Sequence, residues 1–146
     1  MDTKTKGEIA ELSVIKEGLR RGYQVFRPVV DKGKYDVIFE RNGKFAKIQI
    51  KSAWVCGNRY VVSTKKTRTN RREIKVTRYT KEDFDFAILF IEDHNLFYVL
   101  PSKIFVSSLS LTLDIEGTCN KGRRSSTQGY KERWDIIDKF FNAEME

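Results

Sequence analysis

The sequence predicts an α/β domain in which helices flank a mixed β-sheet. Three observations lead there: an amphipathic repeat in the first twenty residues, an Asn-Gly hairpin between two alternating strands, and a closing segment with its bulky residues on one side. At 146 residues the chain is expected to form one domain, 1–146, and to bury roughly two thirds of its unfolded surface. A hydrophobic content of 40% with ten Phe supplies a core and argues against disorder.

Taken in order, Thr5-Lys6-Gly7-Glu8 has the form of a capping box: Thr5 bonds the third helical amide while Glu8 reaches back. Ile9, Leu12, Ile15 and Leu19 recur at steps of three and four, the apolar face of a helix that Gly22 stops. YQVFRP (23–28) reads as a short strand closed by Pro28, and VDKGK (30–34) as a loop. YDVIFE (35–40) and KFAKIQIKSA (44–53) are strands joined by Asn42-Gly43, the strongest local hairpin signal. RYVVST (59–64) is a further strand. FDFAILFI (84–91) and LFYVL (96–100) are apolar strands around the turn EDHN, and Pro101 opens a short helix over 102–109. A basic, Gly/Ser-rich stretch fills 117–129, expected to be mobile. The closing helix over 133–146 turns Trp134, Ile137 and Phe141 to one side; with Phe140 they are read as core rather than as interface.

Charge narrows the function. Lys and Arg number 28 against 20 Asp and Glu, a formal net charge of +8 that favours an anionic partner, nucleic acid first. No apolar run approaches the ~18 residues of a membrane span, so the chain is expected to be soluble and intracellular, with no membrane partner. Cys56 and Cys119 lack metal-ligand spacing and are read as free thiols. With His94 as the single histidine, a histidine zinc site or a Ser-His-Asp triad has little material, and His94 is read as a loop residue.

The hairpin register makes a more pointed statement. With Arg41 and Lys44 flanking the turn, residue 40 pairs with 45, 38 with 47 and 36 with 49. Asp36 then lies opposite Gln49, Cβ atoms ~5 Å apart. Lys51 projects from the same face one step along, while Ile48 and Ile50 point to the core. A one-residue slip would expose both isoleucines. A carboxylate, an amide and an ammonium are thereby gathered in one small area, either as a solvated sheet face or as a site. Glu11, four residues after Gly7 on the helix, can face the hairpin, although an exposed helix glutamate is the more common fate of a single Glu.

These residues resemble the PD-(D/E)XK nuclease superfamily, which includes type II restriction enzymes and archaeal Holliday-junction resolvases. The carrying pattern is Lys6-Gly7-x-x-x-Glu11 on the first helix, Asp36 on the second strand and Gln49-Ile50-Lys51 on the third. Within the superfamily the chain is similar to the small intron-encoded homing endonucleases of cyanobacteria, and YTKEDFDFAILFI with LFYVLPS also resembles the second half of that group. The family usually has Asp or Glu where Gln49 stands; the amide oxygen can ligate a hard cation but brings no charge. The resemblance implies a restriction-endonuclease-like core and Mg²⁺-dependent hydrolysis of DNA phosphodiesters, with Mn²⁺ able to substitute. It assigns catalysis to Glu11, Asp36, Gln49 and Lys51. Metal ligation falls to Asp36, Gln49, the Ile50 carbonyl and Glu11, and no small-molecule cofactor is implied.

Double-stranded DNA is the expected partner. KKTRTNRREIKVTR (65–78), inserted between core strands, has seven Lys or Arg among fourteen residues. Lys65, Lys66, Arg68, Asn70, Arg71, Arg72, Lys75 and Arg78 are the candidate DNA contacts, the segment and its flanks forming a β-ribbon suited to a major groove. Lys121 to Arg124 form a second basic patch that either binds backbone or only solubilises. Because one site cuts one strand, double-strand cleavage implies a homo-oligomer, a dimer or a tetramer. Two rival readings stay open: a junction resolvase with the same catalytic parts, and a DNA-binding relative inactivated through Gln49.

Overall fold

The computed structural model describes residues 1–30, 33–69, 74–115 and 127–143, with the backbone alone at 66–69 and 74–76. Helix α1 spans Thr3–Arg20, and its N-cap is Asp2, whose Oδ1 accepts from the Thr5 amide at 2.7 Å. The capping box expected at Thr5–Glu8 is therefore not the start. An acceptor three residues earlier satisfies the first orphan amides and adds a turn, which leaves Glu8 on the helix surface. Gly22, at φ 89°, ends the helix as expected.

The buried face of α1 also differs from the expected one. Ala10, Val14 and Gly18 are buried, Ile9 and Ile15 pack partly against the core, and Leu12 and Leu19 are exposed. Small residues win because the helix lies tight on the sheet: a Cβ at Gly18 would come 2.8 Å from the ring of Phe39, which is fully buried and stacked on Tyr23. Gly18→Ala is accordingly expected to destabilise the protein despite the helix propensity of alanine. The overpacking cost, about 1–3 kcal/mol, exceeds a gain of about 1 kcal/mol. A urea midpoint equal to or above that of the wild type would contradict this.

A five-stranded mixed sheet forms the centre, in the order β1-β2-β3-β8-β9. Its members are β1 (Gln24–Phe26), β2 (Val37–Arg41), β3 (Lys44–Ser52), β8 (Phe86–Ile91) and β9 (Leu96–Pro101). Only β3 and β8 run parallel. Asn42 and Gly43 take φ of 55° and 80°, the left-handed pair a two-residue hairpin turn requires. The register is the expected one, from Arg41↔Lys44 to Val37↔Ile48. Asp85 starts the parallel pairing, its Oδ2 accepting from Lys47 N at 2.8 Å and its own amide donating to Lys47 O at 2.9 Å.

Alternation along β8 feeds two apolar layers. Phe86, Ile88 and Phe90 meet α1 and the closing helix α3 (Asp135–Asn142), where Trp134, Ile137 and Phe141 are buried as expected. Ala87, Leu89 and Ile91 meet α2 (Ser102–Val106), β5 (Arg59–Ser63) and β10 (Ser110–Leu113). Arg41 ties the hairpin to α3: its guanidinium covers the Tyr23 ring at 4.0 Å and pairs with Asp138, which also accepts from the Tyr23 hydroxyl.

Two strands were not foreseen. β4 (Trp54–Cys56) turns back through Gly57 onto β5, and β10 joins β5 on its other side. The helix expected over 102–109 stops at Val106, and β10 begins at Ser110, just past that range. The basic segment pairs as a separate two-stranded ribbon, β6 (Lys65–Thr69) with β7 (Ile74–Arg78). His94 lies in a 3₁₀ turn between β8 and β9, and Cys56 is an exposed free thiol. Cys119 and Lys121 to Arg124 lie outside the described residues. Among the described residues no helix is long and apolar enough to cross a membrane.

Candidate active site

The site begins where β2 does. Asp36 stands one position before Val37↔Ile48, the last pair of the hairpin ladder, which sets it opposite Gln49. Its amide donates to Ile48 O at 2.8 Å, and its Oδ2 accepts from Ile50 N at 2.7 Å. Two bonds to the neighbouring strand thus fix where this half-buried carboxylate sits and how it is turned.

The rest of the expected set divides. Glu11, Asp36 and Ile50 line one open cleft of about 400 Å³ between α1 and the hairpin. Glu8, Glu11 and Asp36 also line its neighbour, of about 300 Å³, together with Arg27, Pro28 and Val29. Gln49 is 5% exposed and donates Nε2 to Ile50 O at 3.3 Å, so the amide lies beside the carbonyl of a residue that lines the cleft. Lys51 turns toward the basic ribbon. Its Nζ donates to Lys65 O at 3.2 Å and lies 5.5 Å from the centre of the Tyr79 ring. Lys65 and Arg78 form the basal pair of the ribbon, and Tyr79 follows Arg78 directly.

Of the expected DNA contacts, Lys65 is exposed, and Arg78 is exposed with Nη2 donating to Val106 O at 3.0 Å. Lys66, Arg68 and Lys75 lie on the paired ribbon strands, where backbone alone is described. Asn70, Arg71 and Arg72 lie outside the described residues.

Sequence reasoning missed Glu8, Arg27 and Tyr79. Glu8 was readable, because it precedes Glu11 by three residues and shares its helix face. Arg27 was not, since its partners lie 16 and 19 residues away. It bridges both: Nη2 is 2.7 Å from Glu8 Oε1 and 2.8 Å from Glu11 Oε1, and Nε donates to Glu11 Oε1 at 2.9 Å. The bonds to Glu8 and then Glu11 raise the pKa of Arg27 above its ordinary value.

The donor chemistry suits a hard cation: carboxylates, a side-chain amide and a main-chain carbonyl, all oxygen. Among the described residues no three His, Cys, Asp or Glu side chains converge as a metal cage. A divalent ion at this place would therefore lean on the Gln49 amide and the Ile50 carbonyl beside Asp36. Thiolate and imidazole metals find no such set among the described residues.

A helix glutamate and a strand-opening aspartate share one cleft of a mixed sheet, with a Q-x-K strand running beside the aspartate, an arrangement in keeping with a nuclease of the restriction-enzyme type. The family described as PD-(D/E)XK endonuclease matches residues 1–137, and the chain belongs to it. Among solved structures it is similar to a bacterial homing endonuclease, I-Ssp6803I, with a TM-score of 0.88 and 37% identity. That match covers 100% of this chain and 99% of the other. A curated relative, Protein 5.3 of Escherichia phage T7, is 24% identical over 98 residues, which is 63% of this chain and 75% of that protein.

Proposed function

We propose that the chain is a homing endonuclease: a site-specific hydrolase of phosphodiester bonds in double-stranded DNA that depends on a divalent metal, Mg²⁺ first and Mn²⁺ in its place. The observation that carries this reading is the end-to-end likeness to a bacterial homing endonuclease, within the PD-(D/E)XK endonuclease family. Asp36, the Gln49 amide oxygen, the Ile50 carbonyl and Glu11 would hold the ion. When bound, it supplies Lewis-acid polarisation of a phosphoryl oxygen.

The side chains do the rest. Asp36, pinned by its two backbone bonds, presents a fixed negative charge at the cleft floor. Lys51 carries its ammonium on the next strand positions, where it meets the scissile phosphate and stabilises charge on the nonbridging oxygens. The oxygen of a water molecule bonds to phosphorus as the bond to the leaving sugar oxygen breaks. The water gives up a proton and the leaving oxygen gains one, so hydrolysis balances without another reactant. The carboxylates that line the cleft, with the Lys51 side chain, would serve these transfers.

DNA would lie along the β6–β7 ribbon, whose base touches Lys51 through the Lys65 carbonyl. A two-stranded ribbon fits a major groove, and its Lys and Arg neutralise phosphates. One such site cuts one strand, so a two-fold homo-oligomer, a dimer or a higher assembly of dimers, would cleave both.

Cleavage of genomic DNA with Mg²⁺, followed by sequencing of the ends, tests the reading. The expected result is a small set of ends sharing one long sequence, and none when EDTA replaces the metal. Cutting of four-way junctions regardless of sequence would replace the homing role with that of a resolvase. Binding without any metal-dependent cutting would leave a DNA-binding relative.

A further inference from the structure

The cleft that gathers Glu8, Glu11 and Asp36 also holds a cation of the protein itself. Arg27 follows β1 directly and precedes Pro28, whose ring restricts the backbone as the chain enters the cleft rim. Its guanidinium spans two carboxylates one helical turn apart, and both of its nitrogens on Glu11 reach the same oxygen, Oε1. Arg27 is 43% exposed along its side chain, Glu8 53% and Glu11 21%, so the more buried acid is the one held twice.

Two consequences follow from charge alone. A divalent ion approaching Glu11 meets a positive charge already seated there, and like charges at ~5 Å repel by several RT even near water. A DNA phosphate arriving at the cleft offers the guanidinium two nonbridging oxygens as a bidentate partner, for which arginine is well shaped. Whatever draws Arg27 toward phosphate frees Glu11 for the metal. Thermodynamic linkage makes the effect mutual.

We propose that Arg27 is a positioning residue that couples metal binding to DNA binding. Paired with Glu8 and Glu11 it opposes a divalent cation in the free protein, and a phosphate of the bound strand takes it over. The inference rests on the nuclease reading of the cleft. It gives the enzyme a reason to load metal where DNA is present.

The test is calorimetric titration of the full chain with Mn²⁺ in the absence of DNA, comparing wild type, Arg27→Gln, Arg27→Met, Arg27→Lys and Asp36→Ala. Arg27→Gln removes the charge and keeps hydrogen bonding; Arg27→Met keeps only the aliphatic stem. Both neutral variants are expected to bind Mn²⁺ about tenfold more tightly than wild type. Arg27→Lys, which keeps the charge, is expected to stay near the wild type. In metal-free buffer the neutral variants should also bind duplex DNA more weakly, with a shallower salt dependence. Damage to the fold would weaken metal binding, so tighter binding has no structural explanation. Unchanged or weaker Mn²⁺ binding in both neutral variants, with circular dichroism intact, overturns the role of Arg27. Asp36→Ala separates that failure from a deeper one. If it binds Mn²⁺ as well as wild type does, the ion is not in this cleft and the nuclease reading of the site falls too.

Discussion

Asp36→Ala is expected to lower metal-dependent cleavage by about 10³-fold or more while leaving DNA binding measurable. The carboxylate does two jobs that the alanine variant confounds. Its charge faces the cleft shared with Glu8 and Glu11, and its Oδ2 accepts from the Ile50 amide at 2.7 Å. Removing the acceptor leaves a main-chain donor in the core sheet without that partner, a loss of about 1–3 kcal/mol if water does not replace it. Asp36→Asn resolves the two. Its amide oxygen can still receive the Ile50 N–H, so the fold should melt near the wild-type temperature, yet the negative charge is gone. Cleavage by Asp36→Asn is therefore expected to fall nearly as far as in Asp36→Ala, with most of the stability restored. Single-turnover cutting of a target duplex, beside thermal melts of both variants, reads the two effects separately. Asparagine at this position cutting at the wild-type rate would show that the charge is not used.

How far this site could be read before the structure depended on the reach of each interaction. Asp36 opposite Gln49 was legible because the Asn42-Gly43 turn is local and permits one register. The alternation of β3, the apolar run of β8 and the burial of Trp134, Ile137 and Phe141 were legible for the same reason: pattern and chemistry agree within a few residues. The N-terminus of α1 was not, because Asp2 and Thr5 are both good caps and their competition is settled by how many amides each satisfies. The buried stripe of α1 was misjudged because size, not hydrophobicity, decides contact against Phe39. Leu12 and Leu19 lose to Ala10 and Gly18 where the helix approaches the sheet most closely. The pairing of β10 with β5, the parallel contact of β3 with β8 and the Arg27 bridge all join distant segments. No local pattern encodes them.

Lys51→Ala is expected to abolish cleavage, again by about 10³-fold or more, with duplex binding reduced far less. Lys51 bonds the Lys65 carbonyl and stands over Tyr79, a ring fixed by Phe84 at 5.4 Å and Phe105 at 6.2 Å. Both supports belong to the base of the basic ribbon, Lys65 at its first strand and Tyr79 just past its second. A carbonyl and an aromatic face, neither carrying a net charge, help to orient the ammonium. The arrangement makes a graded prediction around the lysine. Tyr79→Phe keeps the face and should cut at close to the wild-type rate. Tyr79→Leu removes it, and the loss of about 0.5–2 kcal/mol of cation–π support should slow cleavage several-fold at saturating DNA. Lys51→Arg keeps a charge but replaces a compact point donor with a wide planar fork, so it should rescue little. Rates at saturating DNA, with binding measured in parallel, rank the four variants. Equal rates for Tyr79→Phe and Tyr79→Leu would mean that the ring does not position the ammonium, and a Lys51→Ala protein that still cuts would remove the lysine from the chemistry.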